Sequence, residues 1–217
     1  MRKEKYLTIE NSSQKISQWQ HILTNYYSSK KKFQFHLEKS ALLIIDMQDY
    51  FLNPLSHAYL PSAEAIIDPI IKLQNFFQKN NRPIFFTQFG NNQIEKNSDM
   101  MFRWWNGNLY FNDPFYAISS QFDTSEATII HKSTYDSFIG TNLLNLLNEK
   151  NITSIVITGV TTHLCCESTA RSAFGFNKEV YLPIDCMATF TEELHLNALK
   201  SASHGFGIPV KSQELLE

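Results

Sequence analysis

From Ser40 onward, short and uninterrupted apolar runs alternate along the chain with segments of helical periodicity. Runs such as 42–45 and 155–157 contain no polar residue, which is typical of strands covered on both faces. The pattern predicts strands at 41–45, 83–89, 127–130, 152–158, 180–184 and 208–211, and helices at 63–79, 138–150, 164–176 and 192–203. Repeated β-α units of this kind favour an α/β fold, with a doubly wound, mostly parallel β-sheet and helices on both faces.

Two stretches depart from this alternation. In residues 1–39 polar residues dominate and apolar ones, such as Ile16, Trp19 and Leu23, recur at helical spacing. This spacing predicts an amphipathic N-terminal helical extension. Residues 40–217 then form a single domain, in which about 90–125 are an insertion without β-α periodicity. Long insertions in compact domains are usually functional, so we expect this one to influence substrate choice.

Length and charge narrow the class of partner. A chain of 217 residues buries a sizeable core without disulfide or metal support. Its 19 Lys and Arg residues stand against 21 Asp and Glu residues, so no basic surplus exists to bind nucleic acid or an anionic membrane. The basic run at 30–32 is therefore interpreted as a solvated linker. A small-molecule substrate and a cytoplasmic location are expected, since no apolar run approaches the roughly 18 residues of a membrane span.

The three cysteines, Cys165, Cys166 and Cys186, are too few and too clustered for a disulfide framework, which favours a reducing compartment. In a helix over 164–176, Cys166 falls on an apolar stripe and Cys165 on a polar one. The two stripes also hold Ala170, Ala173 and Phe174, and Ser168, Thr169 and Ser172, respectively. Cys165 is thus predicted to be an exposed thiol near a helix N-terminus, where the helix dipole favours a thiolate.

Charged or reactive residues follow three of the predicted strands. Asp46 follows the first strand, Lys132 follows the third, and Cys165 comes shortly after the fourth. Because ligands of open parallel sheets bind outside the carboxyl ends of the strands, one crevice is able to hold all three. The alternative is that these are ordinary turn or capping residues. On spacing alone Asp185, which follows the fifth strand, has an equal claim.

Three segments resemble the isochorismatase-like cysteine hydrolases, a superfamily that includes isochorismatases, nicotinamidases and N-carbamoylsarcosine amidases. The segments are 42–51 (LLIIDMQDYF), 132–138 (KSTYDSF) and 158–171 (TGVTTHLCCESTAR), and the similarity runs from about Ser40 to Leu216. The resemblance implies the Rossmann-like, three-layer fold of these hydrolases. It also implies that no organic cofactor is needed and that the chain forms a homo-oligomer, a dimer or a tetramer.

The resemblance further implies a catalytic triad of Asp46, Lys132 and Cys165. In family terms Asp46 accepts the thiol proton and returns it to a leaving amine, Lys132 sets the electrostatics, and Cys165 attacks the carbonyl carbon of a small amide. Backbone N–H groups of Thr161 and Cys165 form the oxyanion hole, beside a cis peptide bond between Val160 and Thr161. A cation beside sulfur and a neighbouring carboxylate suit this chemistry physically.

Two other functions stay open. Isochorismatases usually have glycine where this chain has Cys165, because protonating a vinyl ether needs an acid, here Asp46, and no nucleophile. A non-catalytic interaction module that binds a partner through the aromatic insertion is the second alternative. The metal-binding pattern of nicotinamidases, Asp-x-His shortly after the catalytic Asp, is missing and His57 stands alone, so no structural metal is expected. Phe89 stands where many members have His.

Substrate contacts are predicted in two places. Trp104 and Trp105, with Phe102 and Arg103, form an aromatic wall with one guanidinium that suits a flat or carboxylated ligand. The alternative is that these rings pack a lid or a subunit interface. The weaker candidates lie near the three motifs and are Gln48, Phe51, Tyr135 and His163. Of these, His163 has apolar neighbours and suits a hydrogen-bonded structural role as well as a binding one.

Overall fold

The protein is described by a computed structural model, which covers residues 2–27, 33–92, 100–107 and 109–216. The basic run at 30–32 lies outside the described residues. The strands are β1 (Ser40–Ile45), β2 (Ile84–Phe89), β3 (Thr128–Lys132), β4 (Ser154–Val160), β5 (Glu179–Pro183), β6 (Met187–Ala188) and β7 (Ile208–Val210). The α-helices are α1 (Ser12–Thr24), α2 (Asp49–Leu52), α3 (Ile67–Lys79), α4 (Met100–Trp105), α5 (Leu143–Glu149), α6 (Glu167–Gly175) and α7 (Glu192–Gly205).

All strand pairings in the sheet are parallel, and the spatial order is β3-β2-β1-β4-β5-β7, with the short β6 paired to β4. Parallel neighbours need long crossover connections: α3 lies between β1 and β2, α6 between β4 and β5, and α7 between β5 and β7. The predicted α/β fold with a doubly wound parallel sheet is confirmed. The two-residue β6 was not predicted, because it is too short to give a pattern.

The centre of the sheet is formed by β1 and β4, and every residue of both strands is buried. Burial on both faces explains why these runs show no polar alternation. Their register pairs Leu42 with Val156 and Ile45 with Gly159, so the two strands end side by side. The carboxyl ends of the central strands therefore meet at one edge of the sheet.

The N-terminal extension packs onto this core. Helix α1 buries Trp19 and Leu23, and the indole Nε1 of Trp19 donates a hydrogen bond to Glu192 of α7 at 2.8 Å. Lys15 forms an ion pair with the same carboxylate at 2.6 Å. Upstream of the helix, Leu7 is also buried, so residues 2–27 contribute to the same core as the strands.

The insertion lies beside the carboxyl ends of β1 and β2. Ser119 N–H donates to the carbonyl of Met47, and Asp49 N–H donates to the carbonyl of Ala117. A parallel bridge joins Asn91 to Tyr110. Within the described residues, no helix has the length and apolarity that a bilayer crossing requires.

Candidate active site

The centre of the candidate site is a fully buried ion pair between Asp46 and Lys132. Asp46 follows β1 with a positive φ of 52°, a region that Asp tolerates better than most residues, and Lys132 ends β3. The Nζ–Oδ2 distance is 2.7 Å, and neither side chain is exposed to solvent. Between them, on β2, Thr87 donates its hydroxyl to Asp46 Oδ1 at 2.6 Å.

Lys132 keeps its charge in this buried position. Burial by itself lowers the pKa of Lys132, but the carboxylate of Asp46 and the thiol of Cys165 raise it, and the net shift is upward. The ammonium also donates to the carbonyl of Thr134 at 3.0 Å and lies 5.3 Å from the centre of the Phe89 ring. The pair is thus a fixed element of charge at the carboxyl end of the sheet.

Cys165 lies on a π-helical turn, Thr162–Cys166, that joins β4 to α6. Its thiol lies close enough to Asp46 and Lys132 to interact electrostatically with both, so the structure brings the three side chains together. Burial raises the pKa of the thiol to about 12, with a further increase from Asp46 and an opposing decrease from Lys132. Their catalytic roles stay a prediction.

The predicted exposure of Cys165 is wrong. The residue is 5% exposed, and its raised pKa keeps the thiol protonated near neutral pH, so the expected preference for a thiolate is absent as well. Cys165 lies on the π-helical turn before α6 and beside the buried ion pair, so its side chain is covered, whereas Ser168 and Ser172 of the same stripe are partly exposed. Cys166, Ala170 and Ala173 are fully buried as predicted, whereas Phe174 is 54% exposed and lies outside the stripe.

A close backbone contact joins the ends of β1 and β4. Gly159 has φ +104°, and a Cβ atom at this position would lie 2.1 Å from the carbonyl oxygen of Ile45. Only glycine combines this conformation with so close an approach. Asp46 directly follows Ile45, and the turn that carries Cys165 begins three residues after Gly159. The contact between Ile45 and Gly159 therefore places Asp46 close to that turn.

Replacing Gly159 with alanine is therefore expected to destabilise the protein by roughly 3 kcal/mol or more, from steric overlap and backbone strain together. The drop in melting temperature is expected to be about 6–12 °C. Gly175→Ala is the matched control, since nothing lies within 4 Å of a Cβ atom there. Equal melting temperatures for the two variants would contradict the proposed contact.

The reactive end of the site has the backbone geometry that the resemblance implies. The Val160–Thr161 peptide bond is cis. Thr161 and Cys165 both line a cavity of about 370 Å³ that reaches the thiol. Most of the remaining wall is aromatic or aliphatic, and includes Phe51, Phe89, Trp105, Tyr135, Leu164 and Phe190.

Three of the predicted substrate contacts, Phe51, Trp105 and Tyr135, line this cavity. The indole Nε1 of Trp105 donates to the hydroxyl of Tyr135 at 2.7 Å, which fixes both rings. Trp104 is 74% exposed and does not line the cavity, although it is the sequence neighbour of Trp105. Arg103 is also exposed and outside the cavity lining. Adjacent side chains on helix α4 point about 100° apart, so Trp105 lines the cavity while Arg103 and Trp104 do not.

Gln48 and His163 have structural contacts and lie outside the cavity lining. Gln48 is fully buried, donates to the carbonyls of Phe89 and Tyr116 at 3.0 and 2.7 Å, and accepts from the N–H of Phe89 at 2.8 Å. It fixes the end of β2 against the insertion. His163 shares a hydrogen bond of 2.6 Å with Thr189, and burial lowers its pKa to about 4. A substrate contact at either residue stays a prediction.

The alternative carboxylate, Asp185, has a structural role. Its side chain accepts hydrogen bonds from the N–H and hydroxyl of Ser212, which begins the C-terminal 3₁₀ turn. Sequence spacing alone did not show whether Asp46 or Asp185 belongs to the site. The ion pair with Lys132 identifies Asp46. Among the described residues, no three His, Cys, Asp or Glu side chains lie close enough together to hold a metal ion.

Several residues of the site were not predicted from the sequence. Thr87 was detectable as a polar residue inside an apolar strand. Lys3, His57 and Phe190 line the cavity from segments far apart in the chain, and no local pattern identifies them. Tyr50 also lines it and lies within the motif 42–51, beside the predicted contact Phe51.

The buried ion pair also gives a stability prediction. Lys132→Met leaves the charge of Asp46 buried without its partner, which is expected to cost about 3–5 kcal/mol in the free energy of unfolding. Adding Asp46→Asn removes the remaining charge and should recover part of that loss. Lys178→Met is the control, because Lys178 is a partly exposed lysine bonded to neutral groups. Denaturant unfolding of these variants beside the unsubstituted protein measures the differences, and a double variant less stable than Lys132→Met would contradict this account.

Known proteins are similar to this chain over most of its length. The family model described as "Isochorismatase domain" matches residues 40–214. Nicotinamidase 3 of Arabidopsis thaliana is 30% identical over 181 residues, which cover 81% of this chain and 86% of that protein. Enterobactin synthase component B of Escherichia coli K12 is 28% identical over 189 residues, covering 87% of this chain and 66% of that protein.

Solved structures share the fold. A cysteine hydrolase from Pseudomonas syringae pv. phaseolicola superposes with a TM-score of 0.82 at 20% identity, covering 87% of this chain and 97% of that one. The N-carbamoylsarcosine amidase from Thermoplasma acidophilum superposes with a TM-score of 0.71 at 20% identity, covering 80% and 96%. At these identities the structures establish the architecture, and the chemistry must be argued from the side chains.

Proposed function

The chain belongs to the isochorismatase family of hydrolases, and we propose that it cleaves the C–N bond of a small amide by covalent catalysis at Cys165. One observation carries the proposal: a cavity of small-molecule size reaches a cysteine that contacts a buried carboxylate and a buried ammonium. The printed name of one relative, Nicotinamidase 3 of Arabidopsis thaliana, supports amide chemistry.

The first step is attack by sulfur coupled to proton transfer. Since the pKa of Cys165 is about 12, the thiol is protonated when substrate binds. Asp46 accepts the thiol proton as the S–C bond forms, and Lys132 stabilises the charge that passes from carboxylate to sulfur. The backbone N–H groups of Thr161 and Cys165 are the proposed donors to the oxyanion.

The tetrahedral intermediate then collapses. Its C–N bond breaks, and protonated Asp46 gives its proton to the leaving amine, which leaves a thioester on Cys165. Water attacks the thioester carbonyl while Asp46 takes one of its protons, and the C–S bond breaks to release the carboxylic acid. The proton returns to sulfur, so the sum is amide plus water giving acid plus amine. No organic cofactor enters this sequence.

A second candidate is hydrolysis of a vinyl ether, with Asp46 as the acid and Cys165 uninvolved. The chain is 26% identical over 181 residues to the isochorismatase of Bacillus subtilis, which supports this chemistry. The position of Cys165 opposes it, because vinyl ether hydrolysis gives no role to a thiol that lies beside the Asp46–Lys132 pair and lines the cavity.

The proposal is tested by a hydrolysis screen over small amides, ureido acids and isochorismate. Reactions that show turnover are quenched in acid and analysed by intact-mass and peptide mass spectrometry. We expect an acyl adduct on Cys165, distinguished from Cys166 by fragment ions, and the same adduct in the control variant Cys186→Ala. Amide turnover without any adduct on Cys165 would overturn the covalent mechanism. No turnover on any member of the screen would favour the interaction-module alternative.

A further inference from the structure

We propose that Lys3 binds an anionic group of the substrate, so that this site prefers a small amide with an apolar body and a carboxylate. This inference rests on the proposed function and adds the substrate class. It assigns to the N-terminal segment a part in the site, although that segment lies outside residues 40–214, which match the family model.

The cavity offers few polar contacts to a ligand. Its wall is largely aromatic and aliphatic, and two of its polar side chains bond to each other, since the hydroxyl of Tyr50 and Nε2 of His57 are 3.0 Å apart. The hydroxyl of Tyr135 already accepts from Trp105. An apolar body is therefore favoured along most of the wall.

Lys3 is the exception in this lining. It brings an ammonium group to the cavity, and among the residues that the structure describes no Asp or Glu belongs to the lining. The ammonium donates to the carbonyl oxygen of His57, which is a neutral partner, and within the described part of the chain it has no ion pair. Partial burial lowers the pKa of Lys3, so a carboxylate beside it would restore the charge compensation that the ammonium lacks.

The position of Lys3 is fixed by its neighbours. Glu4 N–H donates to the carbonyl of Phe190, itself a lining residue, at 2.8 Å. The hydroxyl of buried Ser62 accepts from the N–H of Tyr6 and donates to the carbonyl of Glu4 at 3.0 Å each. The segment is thus anchored directly after Lys3, which holds the lysine at the cavity.

The charges of the site favour an anion. Asp46 and Lys132 compensate each other at 2.7 Å, so their combined field is small at the distance of a ligand group bound along the wall. The ammonium of Lys3 has no such compensation. It takes the place that the sequence analysis gave to Arg103, which does not line the cavity.

The test uses Cys165 as a reporter and two alkylating agents of nearly equal size, iodoacetate and iodoacetamide. Rates at Cys165 are followed by peptide mass spectrometry in the full chain. The ratio of the iodoacetate rate to the iodoacetamide rate is expected to fall about five- to tenfold in Lys3→Met and to recover in Lys3→Arg. Lys5→Met is the matched control, because Lys5 is an exposed lysine two positions away whose ammonium lies 3.9 Å from Glu64.

An unchanged ratio in Lys3→Met, or an equal fall in Lys5→Met, would overturn the inference. Thermal melting of each variant shows that the fold is kept. Alkylation requires an accessible thiol but does not require catalytic turnover. Its result is therefore independent of the hydrolysis screen. In that screen the ratio of KM for carboxylate-bearing members, such as ureido acids, to KM for neutral amides is expected to rise at least about fivefold in Lys3→Met.

Discussion

Cys165→Ala is expected to lower amide turnover by at least about 10⁴-fold, because it removes the atom that forms the covalent bond and leaves only binding and the oxyanion donors. Substrate binding should persist, since the side chain is one of many that line the cavity. Steady-state kinetics on whichever amide the screen identifies measure kcat, and equilibrium dialysis of the same amide measures binding to the inactive variant.

Two comparisons make this result specific. Cys186→Ala removes another fully buried thiol that does not line the cavity, and is expected to keep kcat within about twofold. Vinyl ether cleavage through Asp46 needs no sulfur and should survive in Cys165→Ala. Amide turnover that survives the substitution would exclude the covalent mechanism, whereas isochorismate cleavage that survives alone would favour the second candidate function.

Two residues of this site were predictable because they lie at the ends of strands. Parallel strands align their carboxyl ends, so a polar residue after a continuous apolar run, such as Asp46 or Lys132, has a predictable place. The fold was predictable for a related reason. Uninterrupted apolar runs indicate strands that are covered on both faces, and every residue of β1 and β4 is buried. Asp185 shows the limit, because the same spacing places it in a structural hydrogen bond with Ser212.

What the sequence did not predict depends on contacts between distant segments. The stripe placed Cys165 on a polar face of the predicted helix but did not show that its side chain is covered, so its exposure was predicted wrongly. Lys3 and Phe190 are 187 positions apart, and a backbone hydrogen bond between Glu4 and Phe190 brings both to the cavity. Hydrophobic periodicity does not predict such a contact, because the pattern of each segment depends only on its own residues.

Asp46 has two proposed effects on the thiol of Cys165: it accepts the thiol proton during catalysis, and its negative charge raises the pKa of the thiol. Asp46→Asn is expected to lower amide turnover by about 10³- to 10⁴-fold, since no group then moves the proton from Cys165 to the leaving amine. The same change is expected to raise the rate at which iodoacetamide alkylates Cys165 near neutral pH by about tenfold or more. A general loss of structure would lower turnover without producing this increase.

The sign of the second effect follows from the surroundings of the sulfur. Burial is the main reason that the pKa of Cys165 is about 12, Asp46 raises the pKa further, and Lys132 lowers it. Once a neutral amide replaces the carboxylate of Asp46, the ammonium of Lys132 faces the sulfur without a competing anion, so the pKa of the thiol falls and more thiolate is present. The profile of alkylation rate against pH should therefore shift to lower pH in the variant.

Asp185→Asn provides the control, because Asp185 also follows a strand but bonds to Ser212 and does not line the cavity. It is expected to change neither turnover nor the alkylation profile. If alkylation of Cys165 instead slows in Asp46→Asn while the melting temperature is unchanged, Asp46 does not suppress the thiolate. The account in which Asp46 raises the pKa of Cys165 would then be wrong, whereas the proton transfer proposed for the first step would not be contradicted.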